Sequence, residues 1–293
     1  MAGMILQKYL GFGNFLRAVG IPYPTTTAPL PVTVLPAAEI PIEYQGQMHL
    51  FILAGQSNMV GWGPIPEGEK TDARIYVFGK DYRWRLAGHP IENPFNQVDM
   101  VSENGIAGFG PAMDFAFTSL KRHPEIVIGL IPCARNSSGI IEWQRDLSDQ
   151  TLYGSCLKRV RAASQMGKIS GLLFFQGESD AMDPNVSPTP VPHSSDWSEL
   201  FVAFVTKFRT DLQQPNLPVV FAQLGAKSVP EAVPNWDFIK SQQASLQLSV
   251  STMITTDDLP LMDELHFTTD SYRVIGTRFA DAYWDLVEKT ESK

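Results

Sequence analysis

Leu50-Phe51-Ile52-Leu53-Ala54-Gly55-Gln56-Ser57-Asn58-Met59 is the stretch that decides the fold. An unbroken apolar run that stops at a glycine and a polar cluster reads as a strand buried on both faces. Gly55 permits a sharp turn at its end. Ser57 then stands just beyond the carboxyl end of a central strand, where open α/β sheets place their ligands. Two readings of Ser57 follow. It is a nucleophile presented on a turn, or with Asn58 it caps the next helix, since Ser and Asn are preferred N-caps.

Working outward, the same alternation recurs. Strands are expected at His49–Ala54, Arg74–Phe78, Ile126–Pro132, Ile169–Phe175, Pro218–Leu224 and Met253–Thr256. Helical patterns fill the gaps at Pro111–Arg122, Leu152–Met166, Trp197–Leu212, Phe238–Leu248 and Ser271–Glu288. Strands alternating with helices predict an α/β fold, a three-layer α/β/α sandwich around a mostly parallel sheet. Gly79–Gly110 and Asp183–Asp196 interrupt the rhythm and read as long irregular loops, rims or lids of a site.

The chain divides into an N-terminal helix with a Pro-rich arm, residues 1–45, and one domain, residues 46–293. Met1–Gly20 is apolar but carries Lys8 and Arg17 inside the apolar stretch. That fits a short amphipathic helix using Ile5, Tyr9, Phe15 and Leu16 better than a signal peptide, and favours a cytoplasmic protein. Residues 21–41 hold six prolines and one charge, Glu39. They read as a Pro-rich arm that packs on its own domain or on a second subunit, giving a homo-oligomer.

A net charge of −8 without basic runs argues against a nucleic-acid partner. The chain has no 18-residue apolar run, so no transmembrane segment is expected. Cys133 and Cys156 are the only cysteines. Without CxxC or metal-ligand spacing they read as two buried free thiols, although spacing alone does not decide whether they pair. No metal site is expected.

Nucleotide motifs fail: there is no GxxxxGK[ST], and Gly108-Phe109-Gly110 lacks the third glycine of a dinucleotide fingerprint. A serine nucleophile needs a base, and five histidines allow elimination. His49 starts a strand, His123 ends a helix, and His89 and His193 lie beside prolines with no acid placed to orient them. His266 follows Asp263 by three residues after the last strand. In a tight turn the carboxylate can hold one ring nitrogen and leave the other as a base. An ordinary surface Asp–His pair is the competing reading. The glycines of Gly105–Pro111 precede a helix and can expose N–H groups to an oxyanion, or form a plain turn. In Gln176-Gly177-Glu178-Ser179-Asp180 another apolar strand ends in polar residues. Gln176 can donate to an oxyanion, and Glu178 reads as a buried hydrogen-bonding support.

Taken together, these blocks resemble the SGNH (GDSL-like) hydrolases, in particular the branch of sialate O-acetylesterase and carbohydrate esterase family 6 (acetylxylan esterase-like) proteins. Leu53–Met59 resembles the nucleophile block and Gly108–Pro111 the glycine block. Leu130–Ala134 with Ile141-Glu142-Trp143 resembles the strand and loop that follow. Gln176–Asp180 resembles the third block, and Asp263-Glu264-Leu265-His266-Phe267 the Asp-x-x-His block. The resemblance covers roughly residues 48–285; the N-terminal 45 residues have no counterpart. It implies a flavodoxin-like sandwich, Ser57 as nucleophile, His266 as base and Asp263 as its orienting acid. It implies an oxyanion hole of the Ser57 and Gly110 N–H groups with the Gln176 side chain, and no cofactor. Gln56, Asn58, Glu178, Arg135 and Trp143 are candidate supporting or substrate-binding residues. Arg135 stands where the family often has small residues, so it narrows the cleft or meets a carboxylate or sugar hydroxyl. Trp84, Trp143 and the loop 183–196 are candidates for a sugar-facing rim, with core packing as the competing reading of both tryptophans.

The expected function is a serine esterase removing O-acetyl groups from a carbohydrate, of acetylxylan or O-acetyl sialic acid type, through an acetyl-enzyme. The alternatives are a hydrolase of longer acyl esters or thioesters on the same fold, and a catalytically silent carbohydrate-binding module. Retention of Ser57, Asp263, His266 and Gln176 together argues against the last.

Overall fold

The computed structural model describes residues 35–99, 101, 106–182, 196–226 and 233–291. The expected N-terminal helix, most of the arm, and residues 183–195 with His193 lie outside the described residues. The strands are β1 (Met48–Gly55), β2 (Ile75–Phe78), β3 (Trp84–Leu86), β4 (Ile128–Pro132), β5 (Gly167–Phe175), β6 (Val219–Ala222) and β7 (Ser251–Ile254). They form one sheet in the order β3-β2-β4-β1-β5-β6-β7. Every neighbouring pair is parallel except β2 with β3. The helices are α1 (Ser57–Val60), α2 (Ala112–Arg122), α3 (Leu152–Ala163), α4 (Trp197–Asp211), α5 (Trp236–Ser245) and α6 (Thr269–Glu291). None of these helices is long and apolar enough to cross a membrane.

From Leu50 to Ala54 β1 is apolar because both of its faces are covered. Leu50, Ile52 and Ala54 join the core under α3 and α4, with Leu157, Phe201 and Phe204. Phe51 and Leu53 point the other way, toward α2 and α6. The Phe51 ring meets Phe115 and Tyr283 edge-on, at centroid distances of 4.7 and 4.9 Å. Each such buried side chain contributes about 2 kcal/mol, so Leu50–Leu53 stabilise the sheet by roughly 8 kcal/mol before chain entropy is charged. β1 lies between β4 and β5. The chain builds β2–β4 on one side of β1 and β5–β7 on the other. The carboxyl end of β1 is therefore the switch point of the sheet, where open α/β folds place their ligands.

Three expectations are corrected. Gly79–Gly110 is not wholly irregular, since it contains β3, whose three residues are too short to show alternation. It is also pinned from within: buried Lys80 pairs with Glu92 at 2.9 Å, and buried Arg159 pairs with Asp99 at 2.7 Å. Glu92 further accepts a hydrogen bond from the Ala134 N–H at 2.9 Å, tying the loop to the end of β4. β7 runs over Ser251–Ile254 rather than Met253–Thr256, as an edge strand whose first three residues are only partly covered. Cys133 and Cys156 are not free thiols. They form a disulfide with a Cα–Cα distance of 5.4 Å, because α3 crosses the end of β4. The end of the arm packs on its own domain. The Ala38 N–H donates to the Trp84 carbonyl, and Arg85 to the Leu35 carbonyl, at 2.9 and 2.8 Å. Residues 35–38 thus cover the exposed edge of β3.

Candidate active site

The turn after β1 is shaped by backbone contacts that only glycine allows. Gly55 has φ +130°, and a Cβ there would stand 2.1 Å from the Phe175 carbonyl oxygen. β1 and β5 stay paired to the last residue, and the Gln56 N–H then donates to that same Phe175 carbonyl at 2.8 Å. α1 begins at Ser57 and lasts one turn, ending at Gly61. Ser57 is left 7% exposed, just beyond the carboxyl end of β1.

Asp263 and His266 come from a tight turn after β7. Its base is closed by the Leu261–Phe267 bridge and by the Met262 N–H donating to the His266 carbonyl at 2.8 Å. Asp263 Oδ1 accepts the N–H groups of Leu265 and His266 at 2.8 and 2.7 Å. Its Oδ2 lies 2.8 Å from His266 Nδ1, and His266 Nε2 lies 3.0 Å from Ser57 Oγ. Burial pushes the Asp263 carboxyl up, but the His266 ring and the two N–H donors outweigh it and hold the group below its ordinary range. A charged carboxylate facing Nδ1 leaves Nε2 as the acceptor for the Ser57 proton, the arrangement a hydroxyl nucleophile needs. Asn58 locks the two turns together. Its Nδ2 donates to the Leu265 carbonyl at 3.0 Å and to Glu178 Oε1 at 2.5 Å. Its Oδ1 accepts the Tyr272 hydroxyl at 2.7 Å.

The glycine block is brought alongside by a short antiparallel pairing. Gly108 N–H donates to the Gly61 carbonyl and Phe109 N–H to the Gly63 carbonyl, both at 2.7 Å; Gly63 N–H donates back to Phe109 at 3.1 Å. Gly110 follows at once, packed on Gly61. Phe109 anchors the block, with the His89 ring stacked 3.9 Å from it and the Arg273 guanidinium 4.5 Å from its centroid. Burial, and secondarily the Arg273 charge, lowers the His89 pKa to about 3, so His89 stays neutral as a packing group. His49 and His123 are also engaged elsewhere, against Ser170 and Trp284.

The third block differs from its expected role. Gln176 Nε2 faces three acceptors: Gln56 Oε1 at 3.1 Å, the Ser138 carbonyl at 3.0 Å, and Asp180 Oδ2. Its Oε1 accepts Trp197 Nε1–H at 2.9 Å, which fixes the orientation of the amide. An amide carries two N–H bonds, so Gln176 has none left for an oxyanion. Gln56 is an acceptor as well, taking the N–H groups of Gly177 and Ser179 at 3.3 and 3.2 Å. Burial pushes Asp180 up to about 7 and also raises Glu178. The Arg135 guanidinium meets Glu142 at 2.5 Å and the Val101 carbonyl at 3.4 Å, so its charge is already matched within the chain. Trp143 is wholly buried, donating to Ser138 Oγ at 3.3 Å, and Trp84 packs on Phe78. Both belong to the core and not to a rim.

Residues that sequence reasoning missed surround the same atoms. Trp62 stacks flat on His266, and its Nε1 donates to Asn136 Oδ1 at 3.0 Å. Trp197 and Ser138 hold Gln176. The only signal available was the adjacency of Trp62 to the nucleophile block, which says nothing about where its ring points.

A family model described as "Carbohydrate esterase, sialic acid-specific acetylesterase" (SASA) matches residues 47–285. The chain belongs to this SASA family of carbohydrate esterases. The match runs from the start of β1 into α6, so every group described above lies within the SASA segment. An Arabidopsis thaliana protein named a probable carbohydrate esterase is 30% identical over 254 residues, covering 80% of this chain and 89% of its own length. A solved structure from Arabidopsis thaliana aligns with a TM-score of 0.69 at 27% identity, covering 82% of this chain and 99% of that one. The structure of NanS aligns with a TM-score of 0.62 at 17% identity, covering 84% and 99%. At that identity the likeness to NanS shows the shared SGNH-like fold of this SASA chain.

Proposed function

We propose that this carbohydrate esterase is a serine enzyme that removes O-acetyl groups from a carbohydrate. The observation that carries the reading is the unbroken chain from Asp263 Oδ2 through His266 to Ser57 Oγ, with steps of 2.8 and 3.0 Å. It stands at the carboxyl end of β1, with Gly110 beside it. Ser57 Oγ attacks the acetyl carbonyl carbon while His266 Nε2 takes its proton. The oxyanion is received by the N–H groups of Ser57 and Gly110. Collapse breaks the C–O bond to the sugar, whose oxygen takes the proton from His266, leaving acetyl on Ser57. Water repeats the sequence and releases acetate. Gln176 supports this from beneath, by holding Gln56 and Asp180.

The description of the matching family supports an acetyl ester of a sialic acid or related sugar over a long acyl chain. The test is hydrolysis of p-nitrophenyl acetate against p-nitrophenyl octanoate, with Ser57→Ala as control, then acetate release from O-acetylated sialic acids and acetylxylan. Ser57-dependent turnover with acetate preferred is expected. No Ser57-dependent turnover of either ester would refute the enzyme, and preference for octanoate would refute the deacetylase.

A further inference from the structure

The imidazole of His266 carries a structural question that its hydrogen bonds do not answer. The torsion between a histidine ring and its Cβ is broad and sets no orientation by itself. The bond from Nδ1 to Asp263 fixes one point of the ring, about which the plane can still roll. Rolling would carry Nε2 off Ser57 Oγ. Trp62 lies against the ring at a centroid distance of 4.0 Å and an interplanar angle of 9°. Any roll of the imidazole drives its edge into the indole.

Trp62 is itself rigidly mounted. Its neighbours Gly61 and Gly63 are both hydrogen-bonded to the 108–109 segment. Its Nε1 donates to Asn136 Oδ1 at 3.0 Å, and Asn136 Nδ2 donates to the Ile106 carbonyl at 2.8 Å. Three segments, from the ends of β1, β4 and the glycine block, therefore hold one indole plane against the base.

We propose that Trp62 is the positioning residue of His266: its face keeps Nε2 aimed at Ser57 and stabilises the imidazolium that forms when Ser57 gives up its proton. This rests on the reading of Ser57 and His266 as nucleophile and base. The face of an indole is the negative pole of its quadrupole and attracts a cation within about 6 Å. The ring is neutral when substrate binds and charged in the transition state. The stabilisation is therefore differential and falls on kcat, not on KM. On the far side, Asp263 matches the same charge, so the imidazolium forms between a carboxylate and an aromatic face.

The experiment compares Trp62→Leu, Trp62→Phe and Asn136→Ala with wild type and Ser57→Ala, using p-nitrophenyl acetate and thermal unfolding. Trp62→Leu should lower kcat about tenfold with KM within about twofold of wild type. Trp62→Phe restores the stacked face without the Asn136 bond and should recover kcat to within about threefold of wild type. Asn136→Ala keeps the indole face and removes only the bond that Trp62→Phe also lacks, so its kcat should stay within about threefold of wild type. Wild-type kcat in Trp62→Leu would overturn the proposal while leaving Ser57 as the nucleophile. So would equal losses in Leu and Phe that follow their melting temperatures, since packing alone would then explain them. Absence of Ser57-dependent turnover in wild type would overturn both readings.

Discussion

Replacing Gly61 by alanine probes the oxyanion geometry without touching a reacting group. Gly61 has φ +89°, and a Cβ there would lie 2.4 Å from Gly110 Cα, 2.5 Å from Gly110 N and 2.6 Å from the Phe109 carbonyl carbon. Ordinary contact begins at 3.4 Å, so Gly110 must retreat by about 1 Å (3.4 − 2.4). None of the three atoms belongs to a flexible side chain, so the backbone itself must move. A hydrogen bond to an oxyanion does not survive such a displacement, and loss of one donor costs on the order of 10²–10³ in kcat. The positive φ adds a strain of about 1–3 kcal/mol to stability. Gly68→Ala separates the two effects, because Gly68 has φ +73° with nothing within 4 Å of its would-be Cβ. The assay is kcat and KM on p-nitrophenyl acetate beside urea unfolding of both variants. Gly61→Ala should lose at least a hundredfold in kcat, and Gly68→Ala should lose only stability. A folded Gly61→Ala enzyme with wild-type kcat would remove Gly110 from the oxyanion hole.

Three further outcomes are expected. Asp263→Asn should lower kcat by about 10³–10⁴, because an amide N–H facing His266 Nδ1 forces the proton onto Nε2, where it blocks acceptance from Ser57; a loss under tenfold in kcat measurements would contradict the assigned role. Asp180 titrates at about 7 in the folded chain against the ordinary 3.8. A raised carboxyl pKa favours the folded state at low pH, and that contribution is lost as pH climbs from about 4 through 7. Between pH 5 and 8 the loss is about 3 kcal/mol. Asp180→Asn should remove it, and urea unfolding at both pH values showing the same pH slope in mutant and wild type would exclude Asp180 as the cause. Opening the Cys133–Cys156 disulfide frees a loop with a sequence separation of 23. The loss is roughly 3 kcal/mol of stability; unfolding curves that coincide with and without reductant would show that the bridge contributes nothing.

The sheet was legible because its strands carry their burial in their composition. β1, β4 and β5 run through the middle of the sheet with their carboxyl-end halves covered on both faces, and a dominant apolar run meets that condition. β3 was not, because three residues on an edge need no pattern when the 35–38 segment covers them. The same division runs through the site. Ser57, Gly110, Asp263 and His266 could be singled out as candidates because each is set by local geometry: a glycine turn, a glycine before a helix, a carboxylate three residues from a ring. Gln176 was misread because its surroundings are assembled from distant segments. Gln56, Ser138, Asp180 and Trp197 converge on one amide and exhaust its donors, and no spacing in the chain announces such a convergence. Trp143 was open between rim and core for the same reason, since an indole at the end of a loop is equally compatible with both, and it lies in the core. Trp62 is the sharper case. It sits five residues after Ser57, yet its contact with His266 spans the fold, and it depends on Gly61 and Gly63 pairing with 108–109 to aim the ring. The chemistry of the site is thus written in short blocks, whereas the stiffness that makes those blocks work is written in the contacts between them.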